Sequence, residues 1–200
     1  GPGSGAVLAG DRLVDYLPLP HVANGKVTWE NEKSIGHMAT FHGNFSVCLR
    51  AYLYAIMNGA FGLRRVAEIA VLNANYLKKG LEPLFTIPFQ RKCMHEFVVQ
   101  ADNYLHLGIR ALDIAKRLLD YGIHAPTIYF PLIVKECLLV EPTETESKET
   151  LDRFIEIMQR IVKEIVENPD LVKNAPYTLP VTRLDEVLAA KNPILKHQGV

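Results

Sequence analysis

The sequence predicts an α/β protein of the α+β type: a short, mainly antiparallel sheet with helices on one face, preceded by linking helices. Three observations carry that prediction. Residues 91–167 read as strand, helix, strand, strand, helix, switching between hydrophobic periods of 2 and 3.6. Residues 1–82 hold two amphipathic helices after a long Gly-, Pro-, Asn- and His-rich stretch, with no sheet of their own. Finally, 200 residues with 48% apolar and 22% charged side chains suffice to bury a core, as in globular chains generally. The division expected is therefore 1–82, an irregular segment with linking helices, and 83–200, a small C-terminal α/β domain.

Taken in order, residues 1–43 are loops with one strand-like run, Lys26–Glu30. Asn44 is placed to cap a helix whose apolar face is Phe45, Cys48, Leu49, Tyr52, Ile56 and Met57, ended by Gly59. A second helix spans about 63–79 with the stripe Val66, Ile69, Ala70, Asn73 and Leu77, and is expected to stop at Gly80. Cys93–Val99 alternates as a strand, putting His95 and Glu96 on opposite faces. Residues 110–121 form a helix with Leu112, Ala115, Leu118 and Leu119 inward, closed by Gly122. Strands are expected at Thr127–Phe130 and Cys137–Val140. A long helix from about Ser147 to Glu167 presents Leu151, Phe154, Ile155, Met158, Ile161, Val162 and Ile165 on one narrow face. Asn168-Pro169 ends it, and a last short helix enters at Thr182 with Asp185 three residues on, as in a capping box.

Bulk features exclude several function classes. Lys+Arg and Asp+Glu number 22 each, so no net field favours nucleic acid or anionic lipid. No apolar run approaches the ~20 residues of a membrane helix. The start has neither the basic nor the apolar region of a signal peptide. Cys48, Cys93 and Cys137 are odd in number and far apart, which suits a reducing compartment and reads as three buried, inert thiols. His37 and His42 lack helical ligand spacing, so no metal site is expected.

Each motif has a structural reading beside a functional one. Gly1–Gly5 is either a purification scar or the end of a glycine-rich loop whose backbone approaches a ligand. His95 is either a satisfied structural histidine or a group facing a cleft. Glu141-Pro142-Thr143-Glu144-Thr145-Glu146-Ser147 ends a strand and caps a helix, but it holds more acids than capping needs. His124–Thr127 and Phe130-Pro131 are rigid turns around a strand. Asn73 and Asn75, near a helix end, need no more than interhelical hydrogen bonding.

Four of these stretches, in this order and spacing, carry a family resemblance: Ala70–Tyr76, His95-Glu96-Phe97, Asp113–Gly122 and Glu141–Glu146. Together they resemble the C-terminal part of the glycine cleavage system P-protein, glycine dehydrogenase (decarboxylating), over nearly the whole chain. The run from Asn174-Ala175-Pro176 to Pro180–Glu186 is more similar to subunit 2 of the two-subunit prokaryotic form than to the single-chain form. Gly1–Gly5 resembles the family's glycine-rich stretch after the cofactor lysine, which favours native sequence there. The departure is His37 in Ser34-Ile35-Gly36-His37, where the resemblance implies an arginine.

The resemblance implies the small C-terminal domain of a fold-type-I enzyme dependent on pyridoxal 5'-phosphate. It implies decarboxylation of glycine and transfer of the aminomethyl group to the lipoyl arm of H-protein, together with P-protein subunit 1, in a prokaryotic cytoplasm. The Schiff-base lysine and the acid that binds the pyridinium are then expected upstream of Gly1, leaving no catalytic residue in this chain and the isolated chain inactive. Residues 1–80 are expected to pack against that upstream domain, and exposed apolar surface from residues 45–77 favours self-association as a homo-oligomer. The residues expected to face the cleft are His95 and Thr143, with Ser4 and Gly5 near the cofactor; no arginine is assigned to the glycine carboxylate. The alternatives are the small domain of another fold-type-I enzyme, aminotransferase- or desulfurase-like, and a non-catalytic interaction module using the 147–167 helix.

Overall fold

The computed structural model describes residues 3–196 and divides into two compact units that meet in sequence between Leu63 and Arg64. The contact boundary thus precedes the 82/83 division read from composition, because the second half of the linking helix packs with the sheet that follows it.

In the first unit a 3-10 turn, Val14–Tyr16, leads to a hairpin of β1 (His21–Ala23) and β2 (Lys26–Thr28), paired antiparallel. Asn24 and Gly25 join them with φ of 50° and 72°. Asn-Gly tolerates this pair of left-handed conformations and matches the twist of two-residue hairpins. That dipeptide is the signal for β1, which the strand reading of 26–30 missed. Helix α1 runs Phe45–Leu81 and is broken at Gly59, whose φ of 61° and ψ of −178° are not helical. The predicted helix end at Gly59 is therefore a kink, and the predicted cap is present: Asn44 Oδ1 accepts from Val47 N at 3.3 Å.

The second half of α1 ends at Leu81, one residue past the predicted stop at Gly80. The role of Gly80 is close approach, since a Cβ there would lie 2.3 Å from Ile155 Cδ1. The remaining elements of the second unit are β3 (Phe97–Gln100), α2 (Ala111–Asp120), β4 (Thr127–Ile128), β5 (Cys137–Val140), α3 (Lys148–Glu167), α4 (Pro169–Lys173) and α5 (Glu186–Lys191). A 3-10 segment, Asp102–Leu107, links β3 to α2.

The sheet order is β3-β5-β4, antiparallel throughout, with Phe97 opposite Val140 and Thr127 opposite Leu139. Alternation sends Phe97, Val99, Leu138 and Val140 into the main core with Ile114, Leu118, Leu151, Met158 and Ile161. Val98 and Cys137 form a small cluster with Val134. The long helix buries Ile157 as well as the predicted Leu151, Phe154, Met158, Ile161 and Ile165, while Ile155 and Val162 are only partly covered. Its buried arc is as wide as the stripe read from spacing but rotated towards Ile157. In α2, Ile114 is buried and Leu112 is not, a rotation of the helix relative to the predicted face.

Helix ends are closed by side chains. Arg110 N donates to Asp113 Oδ2 at 2.8 Å, and Ala111 N to Glu136 Oε2 at 2.8 Å, an acid from another element at the positive end of α2. Ser147 Oγ accepts from Thr150 N at 3.3 Å. The last helix is capped by Asp185 itself, which accepts from Leu188 N at 2.8 Å, rather than by Thr182.

Two ionic ties fasten the C-terminal stretch. Arg117 donates to Glu164 and Asp120, and Tyr121 hydroxyl donates to the same Glu164. Asp120 Oδ1 in turn accepts from Tyr177 N and Thr178 N at 2.6 and 2.8 Å. Arg183 pairs with the buried Asp113 at 2.7 Å.

Candidate functional site

The strand reading of residues 93–96 is corrected: β3 begins only at Phe97, so His95 and Glu96 belong to the loop that enters the strand. The loop backbone is occupied with helix α1 instead of a neighbouring strand. Asn75 Nδ2 donates to Cys93 O at 2.8 Å, and Cys93 N donates to Asn75 Oδ1 at 3.2 Å. Buried Lys78 holds the preceding turn by donating to Phe89 O at 2.8 Å and Arg91 O at 2.6 Å.

On the other side, β5 ends at Val140 and Pro142 prevents its continuation. The acidic run then turns towards α3. Asn73, buried in α1, donates to Thr143 O at 2.9 Å and to Glu146 O at 3.2 Å. Within the turn, Thr143 Oγ1 and Thr145 Oγ1 share a hydrogen bond of 2.7 Å. Both asparagines therefore bond loops, not another helix as ordinary interhelical pairing required.

These two loops and α1 enclose a cleft of about 340 Å³ lined by Ala67, Ala70, Val71, Met94, His95 and the acidic segment Glu141–Glu144. The small side chains of Ala67 and Ala70 leave its floor open. Across it, His95 Nε2 stands 3.8 Å from Glu141 Oε1, both side chains more than half exposed. The pairing of His95 is thus with Glu141 on the facing loop, not with its neighbour Glu96. The surplus of acids in the run acquires a location: Glu141 and Glu144 line the cleft.

His95 and Thr143, expected from the sequence to face a cleft, are brought to one place. Ser4 and Gly5 belong to the first unit, where Ser4 Oγ lies 3.5 Å from Cys48 Sγ. Gly1 and Pro2 of the same stretch lie outside the described residues. Glu141, Asn73, Asn75 and Lys78 complete the second-unit site; the first three are visible as motifs, but nothing in the spacing of Lys78 distinguishes it from the exposed Lys79 beside it.

The cysteines divide by environment. Cys137 is buried and Cys93 half-buried, and burial raises the pKa of both thiols above the ordinary value. Cys48 is exposed, contrary to the reading of three buried thiols, because the apolar helix face around it has no cover within the first unit. No helix among the described residues is long and apolar enough to cross a membrane, and no group of three or more His, Cys, Asp or Glu is gathered there to hold a metal ion.

A two-layer α+β unit, with a cleft between its sheet-end loops and a flanking helix, is the class of domain these features define. The chain belongs to the family described as glycine dehydrogenase, C-terminal domain, whose model matches residues 66–177. It is 54% identical over 203 residues to the probable glycine dehydrogenase (decarboxylating) subunit 2 of Thermotoga petrophila, covering 100% of this chain and 43% of that protein. Proteins of the same description from Thermosipho melanesiensis and Bacillus cytotoxicus are each 52% identical over 202 residues, covering 98% and 99% of this chain and 42% and 41% of theirs. The chain thus spans less than half the length of these relatives. In fold it is similar to part of a crystal structure of glycine decarboxylase (P-protein) of the glycine cleavage system in inhibitor-bound form. The TM-score there is 0.53 at 23% identity, covering 64% of this chain and 28% of that one.

Proposed function

We propose that this chain is the C-terminal part of a glycine-decarboxylating enzyme, acting with a partner subunit and delivering the aminomethyl group to the lipoyl arm of H-protein in a prokaryotic cytoplasm. The observation that carries the reading is the convergence of the His95 and Thr143 loops on one cleft, within a chain of this family. Pyridoxal 5'-phosphate, the cofactor proposed for the complete enzyme, supplies an electron sink for the carbanion left when glycine loses CO2.

The lysine that would carry the cofactor is proposed to lie upstream of Gly1; buried Lys78 is not suited to that role, because its ammonium is engaged by two carbonyls. The proposed role of the second unit is to wall the substrate cleft. His95, beside Glu141, offers a ring nitrogen able to hydrogen-bond a group in the cleft. Thr143 offers a hydroxyl on a turn whose backbone is tied to α1. Ser4 and Gly5 are proposed to lie near the cofactor in the complete protein. The division into an end segment of the large domain, 1–82, and a small domain, 83–200, belongs to the same proposal.

The test uses the complete protein with its partner subunit and lipoylated H-protein, following CO2 release from glycine. His95→Ala and Thr143→Val are each expected to lower kcat/KM at least about tenfold. Unchanged rates for both, or a preference for an amino acid other than glycine, would overturn the reading. Borohydride trapping on this chain alone is expected to label no single lysine stoichiometrically; one fully labelled lysine would place a complete site within it.

A further inference from the structure

Helix α1 both floors the cleft, through Ala67, Ala70 and Val71, and grips the two loops that rise on either side of it. Asn75 makes three of the four hydrogen bonds open to an amide, using both of its donors. It donates to Val71 O and to Cys93 O, each at 2.8 Å, and accepts from Cys93 N at 3.2 Å. Holding the N–H and C=O of one residue fixes the two peptides that flank it, as a neighbouring strand would. Cys93 is two residues from His95. Asn73 grips the opposite loop through Thr143 O and Glu146 O. Neither amide reaches the cleft's interior surface, yet the 3.8 Å spacing from His95 to Glu141 lies between the two peptides they hold.

We propose that Asn75, together with Asn73, is a positioning residue of the reaction: two amides of one helix set the separation of the His95 and Thr143 loops across the cleft. This rests on the reading that the cleft faces the reacting glycine. Asn75→Asp keeps an acceptor for Cys93 N–H but removes both donations, leaving a carboxylate against two carbonyls. The loop is released while the helix remains, and His95 loses its register with Glu141. Satisfying loop carbonyls alone would be a structural role, and that role makes a different prediction for paired mutants.

Two measurements on the complete protein with its partner subunit decide this. The first is alkylation by iodoacetamide, mapped by residue. In Asn75→Asp, Cys93 is expected to react about tenfold faster while buried Cys137 stays protected, since only local opening exposes the first. An unchanged Cys93 rate overturns the proposal. If Cys137 reacts as well, the variant has opened globally, and the same readouts on Asn75→Ser, which retains one donor, decide instead.

The second is a kinetic cycle with His95→Ala. If Asn75 acts through His95, each single variant loses about tenfold in kcat/KM and the double loses no more than about twofold beyond His95→Ala. Losses that multiply to about a hundredfold overturn the proposal in favour of an independent structural role. Full activity of His95→Ala overturns the reading of the cleft itself and removes the catalytic part of the proposal. Cys93 alkylation then still reports whether Asn75 holds the loop.

Discussion

The two units use similar amino acids to opposite ends. In the second, apolar side chains from the sheet, α2, α3 and the end of α1 bury one another, with Val99, Ile114, Leu118, Leu138, Met158 and Ile161 fully enclosed. In the first, Pro18 and Leu19 are the buried residues among those described. Phe45 is 80% exposed, Met57 85% and Phe61 82%, on a helix whose periodicity would suit a core. Amphipathic patterning shows that a face is meant to be covered; it does not say by what. The hairpin and the 3-10 turn are too short to supply that cover.

The sharpest way to break this contrast is by truncation in the two regions. Leu138→Ala empties space in the fully buried centre of the sheet and is expected to cost about 2–5 kcal/mol. Thermal or urea unfolding measures it, and a loss under about 1 kcal/mol would show that the core is loosely packed. Next in size is the network joining α2 to α3. Arg117→Ala leaves Asp120 without its cation and Glu164 with only the more distant Arg160, 3.8 Å away, and is expected to cost about 3 kcal/mol.

That network also gives the second unit an acid-sensitive component. Burial pushes Glu164 up, but hydrogen bonds from Arg117 and Tyr121 outweigh it and hold the carboxyl below its ordinary range. Asp120 is likewise raised by burial and brought lower by the backbone N–H groups of Thr178 and Tyr177 and by Arg117. A carboxyl with a depressed folded pKa contributes stability above its unfolded pKa and loses it as pH falls through the folded value. The melting temperature is therefore expected to drop below about pH 4.5, with a shallower drop in Arg117→Ala. Parallel curves for the two proteins would show that the network makes no acid-sensitive contribution.

Smaller effects sharpen the boundary. Gly80→Ala places a methyl against Ile155 and is expected to cost about 1 kcal/mol net of the helix propensity it gains. The same change with Ile155→Val is expected to recover part of the loss, which a double-mutant unfolding series reads directly. Met57→Ser and Phe45→Ser, in the exposed helix face, are expected to shift stability of this chain by under about 0.5 kcal/mol. They are expected instead to reduce concentration-dependent association in sedimentation. A large loss of stability from either would mean that the first unit has a core of its own.

Much of the second unit is legible in the amino-acid sequence. The strand Cys137–Val140, the helices near 111–120 and 148–167, and the Ser147 cap of the latter follow from local periodicity and turn chemistry. Local rules fail where a partner distant in sequence decides the outcome. Gly80 reads as a helix stop, and α1 does end one residue on, at Leu81, but the close packing of Ile155 from α3 against it is not visible locally. Residues 93–96 alternate like a strand, yet the backbone of Cys93 is held by Asn75 from a helix, and pairing begins only at Phe97. Asp113, in the first turn of α2, becomes the buried partner of Arg183, seventy positions later.

For the candidate site the same division holds. The residue types are readable in the motifs: His95, the acidic run with Thr143, and the pair Asn73 and Asn75. Sequence alone determined the periodic elements, the breaks between them and the family, because these depend on neighbours within a few residues and on motifs in register. Only the tertiary structure decided that His95 faces Glu141 rather than opposing Glu96, and that the asparagines grip two loops. Those facts depend on how a helix and two sheet-end loops converge, and no periodicity along one chain segment encodes the distance between side chains brought together from three.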